Sequence, residues 1–110
     1  MKVKEGLEEQ YAKYVEVNSQ DEYSKACITA GEAFGQALDE GKTCEEAEAA
    51  MLAAEDGLTG YMVGAVISAM NKFNPRGDEV REWWNNRFNV SHPTGTVNPA
   101  IITVKGPEDV

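Results

Sequence analysis

Apolar residues recur at intervals of three and four along most of this chain, the spacing of a helix with one buried face. The clearest series is Tyr23, Cys27, Ala30, Phe34 and Leu38. It forms a single stripe and predicts a helix from about Gln20 to Glu40. Ser19-Gln20-Asp21-Glu22 has the Ser-x-x-Glu form of a capping box, in which the hydroxyl accepts from a free backbone N–H while the glutamate reaches back. Gly41 follows the last periodic residue, where a left-handed cap is expected. Gly31 and Gly35 lie inside the helix, each at a cost of about 1 kcal/mol relative to alanine. Beside Cys27, Phe34 and Leu38 they leave a shallow groove that another helix can approach.

Thr43-Cys44-Glu45-Glu46 repeats the capping box. It predicts a shorter helix to about Ala54, with Ala47, Ala50, Met51 and Ala54 on one face and Glu45, Glu46 and Glu48 off it. The next helix, about Leu58 to Lys72, is apolar most of the way round, a pattern expected of a helix buried in the middle of a domain. Its Gly60 and Gly64 form a GxxxG pair, expected to pack against the Gly31/Gly35 face. Pro75 disfavours helical backbone at Asn74 and so ends the helix. Asn74-Pro75-Arg76-Gly77 is a turn, and Asp78 is placed to cap a fifth helix to about Phe88. Adjacent Trp83 and Trp84 point about 100° apart, so that one can enter the core while the other lies near the surface.

The two ends of the chain carry weaker signals. Residues 1–18 read as a weak helix with Leu7, Tyr11 and Tyr14 or Val15 inward and Glu5, Glu8 and Glu9 in its first turn. Residues 89–110 change character, because Pro93, Gly95, Pro99, Gly106 and Pro107 break regular structure. Ala100-Ile101-Ile102-Thr103-Val104 is short and β-prone. It is suited to cover a core helix as an ordered arm, to pair with Met1–Lys4, or to extend a sheet on a partner. The expectation is an all-α fold: one domain over residues 1–110, a compact bundle of four to five helices with residues 89–110 as an extended C-terminal arm.

Composition narrows the function. A chain of 110 residues can bury roughly 65% of its unfolded surface as one domain. Cys27, Cys44 and His92 are its only Cys and His residues, too few for a tetrahedral zinc site, which takes about four ligands. The cysteines are expected as reduced, packed thiols, and no metal or cofactor is expected. The first residues are charged and no apolar signal run follows. The apolar-rich uncharged stretch Gly57 to Asn71 has 15 residues, short of the roughly 20 needed to cross a membrane. A cytoplasmic location is expected. The net charge of −9 falls entirely in residues 1–56, which hold five Lys and fourteen Asp or Glu. Such a field repels phosphate backbones and anionic lipid and attracts basic surfaces.

No enzyme is expected. Nucleophilic catalysis needs a base beside the nucleophile, and the lone His92 sits in the breaker-rich Ser91-His92-Pro93. The carboxylates fall on outer helical positions, away from the apolar ones, as a solvated face does. A small carboxylate hydrolase would require a buried Asp or Glu in a concave pocket. Two groups stand out instead as protein-binding candidates. Asp39, Glu40, Glu45, Glu46, Glu48, Glu55 and Asp56 are opposed only by Lys42 in that window and can mimic a run of phosphates on a basic groove. Arg76, Arg81, Trp83, Trp84 and Arg87 combine the residue types most enriched at binding hot spots.

Three runs, Thr59–Ala65, Asn74–Asn85 and Val97–Ile101, all in the second half of the chain, resemble stretches of small uncharacterised bacteriophage and prophage proteins. The resemblance implies a class in which small acidic proteins inhibit host enzymes or defence systems by occupying a surface. The leading expectation is therefore a non-enzymatic binder whose acidic face masks a basic, nucleic-acid-binding surface of a host protein. The alternative is a self-associating structural or assembly protein, a homo-oligomer joined through Trp83, Trp84 and the C-terminal arm.

Overall fold

A computed structural model of the chain describes residues 1–91, with side chains through Arg87. They form an all-α bundle of five helices: α1 (Glu8–Val17), α2 (Glu22–Asp39), α3 (Cys44–Ala54), α4 (Gly60–Phe73) and α5 (Gly77–Ser91). Helix α5 runs three residues past the expected Phe88. The expected arm beyond it, with the β-prone Ala100–Val104 and His92, lies outside the described residues. Among those residues, no helix is long and apolar enough to cross a membrane.

The caps explain where the helices start. At α3 both bonds of the predicted capping box are present: Glu46 N donates to Thr43 Oγ1 at 3.1 Å, and Thr43 N to Glu46 Oε1 at 2.9 Å. The box predicted at Ser19 does not form. Helix α1 runs to Val17, so Ser19 belongs to its C-terminal side and donates its hydroxyl to the Val15 carbonyl at 2.6 Å. Asp21 caps α2 instead, accepting from Ser24 N at 2.8 Å. Thr59 caps α4 through Met62 N at 3.2 Å. Helix α5 begins one residue before Asp78, which lies inside the first turn instead of capping it. The chain ahead of Glu8 is not helical, because it turns at Gly6, whose φ of 91° suits glycine.

Helix α2 holds the centre, with α3 and α4 both packed on it and α5 packed on α4. Phe34, Leu38, Met51, Val66, Met70 and Val80 are the largest fully buried apolar side chains. Two predictions for α4 are corrected. It is one-sided, not buried all round: Met62, Val66, Ile67, Met70 and Phe73 face the core, while Tyr61 is 80% exposed and Ala65 and Ser68 are exposed too. Its GxxxG pair is also not the contact, since a β-carbon at Gly60 or Gly64 would meet nothing within 4 Å. The close approach is made at Gly31, over which Met70 and Val66 pack, and at Gly35, which is covered by Met1. Gly64→Ala is therefore expected to stabilise the fold by up to about 1 kcal/mol, as intrinsic helix propensity dictates. A thermal melt would check this, and a lower midpoint would restore the glycine pair as a packing site.

The contacts also fix helix direction. Gly31 meets Val66 and Met70, and the Leu38 carbonyl meets Arg76, so α2 and α4 run the same way. The three residues between α4 and α5 turn the chain back, and the Trp83 ring comes to rest 6.1 Å from that of Phe34. At the other edge, Lys4 N donates to the Phe73 carbonyl at 2.7 Å and Lys2 N to Asp39 Oδ2 at 2.6 Å. Two of the donors that a β-pair with Met1–Lys4 would use are thus already taken.

Candidate interaction surfaces

The acidic and the Arg/Trp groups meet each other along the seam between α3 and α5. Trp83 Nε1 donates to Glu45 Oε2 at 2.8 Å. Arg87 grips Glu48 through two bonds, at 2.8 and 3.0 Å. Its guanidinium also lies over both indoles, 4.9 Å from the Trp83 centroid and 4.8 Å from that of Trp84. Both tryptophans are half-buried. Neither enters the core fully, although Trp83 packs on Phe34. A bidentate, stacked arginine is a stronger contact than a single surface ion pair, so the seam fastens α5 to the rest of the bundle.

Arg76 acts as a clamp. Its Nη1 donates to the carbonyls of Leu38 at 2.9 Å and Lys42 at 2.8 Å, adding a second donor to the Leu38 carbonyl, which also accepts from Gly41 N at 3.0 Å, and bonding the chain just past the C-terminus of α2. Nε and Nη2 hold Glu79 at 2.9 and 2.6 Å. The hydrogen bond from Arg76 keeps the Glu79 carboxyl below the usual carboxylate range. Arg81 lies 3.9 Å from Asp78 on an exposed face, apart from the seam.

The remaining carboxylates are spread along the bundle. Asp39 accepts from the Lys2 backbone, and Glu40 pairs with Lys42 at 3.3 Å. Glu46 is held by its cap, whose bonds from Thr43 lower its pKa. Glu55 and Asp56 sit beyond the far end of α3. Helix α3 is about 16 Å long at 1.5 Å per residue, so the acidic residues form an edge, not a single point. Cys27 and Cys44 are free and buried, and burial pushes both thiols up, which suppresses thiolate reactivity.

A third surface has no counterpart in the sequence reading. An open trough of about 760 Å³ runs between α1, the start of α2 and the outer face of α4. Tyr14, Val17, Tyr23, Tyr61, Ala65 and Phe73 supply its apolar lining. Tyr23, expected in the core stripe, is 51% exposed here, and Val17 is 58% exposed. The charged residues of the lining are Lys13 and Lys72, with no Asp or Glu among them. The sequence signal for this surface is the excess of apolar residues in α4 over what its packed face uses. Comparison of the chain with family models, curated proteins and solved structures finds no match.

Proposed function

We propose that this chain is a non-enzymatic protein-binding module that docks on a basic protein surface through the acidic edge along α3. The target would be a nucleic-acid-binding face of a host protein, masked as small phage inhibitors mask theirs, in the cytoplasm of a bacterium. The supporting observation is the imbalance along that edge. Of its seven carboxylates, ion pairs among the described residues engage two, Glu40 with Lys42 and Glu48 with Arg87. The edge therefore keeps a negative field that a basic groove would complement.

The internal contacts decide which residues test this reading. Reversing Glu45 or Glu48 would tear the α3–α5 seam, and reversing Glu46 would remove a cap, so any lost binding would be ambiguous. Glu40, Glu55 and Asp56 carry no such duty beyond two exposed contacts of Glu40, with Lys42 and with Gln36 Nε2, each at 3.3 Å. The Glu40→Lys, Glu55→Lys, Asp56→Lys triple variant is expected to keep its melting temperature within a few degrees, as surface changes do. Its affinity for the partner isolated from host extract should fall at least about tenfold, and wild-type binding should weaken as salt is raised. Equal affinity of variant and wild type would eliminate the α3 edge as the contact.

A further inference from the structure

Independently of the acidic edge, we infer that the Lys13/Lys72 trough is the seat of this chain's own C-terminal segment, residues 100–109, laid along the outer face of α4. The first ground is a mismatch in burial. Helix α4 is apolar nearly all round, yet Tyr61 and Ala65 face outward with Val17 and Tyr23 beside them. A contiguous apolar surface of this kind marks a site of association. Residues 92–110 contain a compact apolar run, Ala100-Ile101-Ile102-Thr103-Val104, to set against it.

The second ground is position and reach. Helices α4 and α5 have 14 and 15 residues and are joined by a three-residue turn, so α5 returns toward the Tyr61 end of α4. Ten residue steps lead from Ser91 to Ile101. Extended, they span up to about 33 Å, against the 8–10 Å between axes of neighbouring packed helices. The segment can therefore round the bundle end and enter the trough beside Tyr61.

The third ground is charge. On a chain of net charge −9, this trough is lined by two lysines and no carboxylate. Lys13 and Lys72 form no ion pair among the described residues, and Lys72 Nζ lies over the Phe73 ring, 5.3 Å from its centroid. The apolar run of the segment is followed by Lys105, Gly106 and Pro107 and then by Glu108 and Asp109, so its two carboxylates outnumber its one lysine. Tyr61 and Lys72 are eleven residues apart on α4, about 17 Å, and Ile101 and Glu108 are seven apart, up to about 23 Å when extended. With the isoleucines over Tyr61 and Ala65, Glu108 and Asp109 come within reach of the lysines.

The test uses the full chain with isoleucine methyl groups labelled for NMR. There are four isoleucines, Ile28, Ile67, Ile101 and Ile102, so assignment is direct. Ile101 or Ile102 should show nuclear Overhauser contacts to the Tyr23 or Tyr61 ring and a ring-current shift away from its random-coil position. Ala65→Glu places a carboxylate in the trough at an exposed position and should abolish both while leaving the melting temperature within a few degrees. Glu108→Lys with Asp109→Lys should weaken them. Random-coil methyls in the wild-type chain, or contacts indifferent to Ala65→Glu, would overturn the inference. A mixture of labelled and unlabelled chains separates the remaining cases. Contacts that appear only between chains and fade on dilution would make the occupant a second copy and refute binding within one molecule.

Discussion

Phe34→Ala is expected to destabilise the fold by about 3–5 kcal/mol, the range for truncating a buried phenylalanine. Phe34 is wholly excluded from solvent on the central helix α2, and its ring packs 6.1 Å from that of Trp83. The cavity would open where α2 and α5 meet, and the Trp83–Glu45 and Arg87–Glu48 contacts would lose the floor beneath them. Domains of this size are stable by only about 5–15 kcal/mol, so most of the margin goes. Urea denaturation followed by tryptophan fluorescence measures it directly. Phe34→Leu should cost less than half as much, because it leaves a smaller void. A loss below about 1 kcal/mol for the alanine variant would mean that α5 does not rest on Phe34.

The second large effect is expected at Gly77. A β-carbon there would run into the backbone carbonyl of Asn71, an atom fixed inside α4 that cannot swing aside as a side chain tip can. Gly77→Ala should therefore cost about 3 kcal/mol, the upper end of the range for overpacking, even though alanine is the better helix former. Its melting temperature should drop by well over 10 °C on the scale of about 4–8 °C per kcal/mol for a domain this small. A neutral Gly77→Ala would mean that α4 and α5 do not approach so closely at their joint.

These two positions also mark what the sequence reveals and what it withholds. The α2 stripe is legible because five apolar residues repeat over about four turns with few competing periods. The Thr43 box is legible because its bonds are local, closed within four residues. The Ser19 box has the same letters and fails, because α1 reaches far enough to claim Ser19 for its own end. GxxxG misleads for a related reason: glycine spacing records where a helix is smooth, whereas packing depends on which face the neighbours supply. Here Val66 and Met70 supply it, against Gly31. The acidic group and the Arg/Trp group are each visible as composition. That Glu45 meets Trp83 and Glu48 meets Arg87 is not, because those pairs are 38 and 39 residues apart and exist only once α3 and α5 are docked. The trough is hidden for the opposite reason, since it depends on which side of α4 the other described helices leave uncovered. Tyr23 belongs to the α2 stripe by spacing, yet it lies beyond the part of α2 that its neighbours cover.

Arg76 binds the carbonyls of Leu38 and Lys42, 38 and 34 positions earlier in the chain. During synthesis the α2–α3 corner leaves the ribosome well before that guanidinium does. At about 5–20 residues per second, a few seconds pass in which the Lys42 oxygen lacks that donor and the Leu38 oxygen has only the local Gly41 N–H. The nascent hairpin is then held by its apolar stripe and its own turn bonds, exposed to chaperones and proteases, and it becomes fastened when the latecomer arrives. A ribosome stalled before residue 76 is emitted should carry a corner that nicks readily, and one stalled after α5 has emerged should carry a corner that resists.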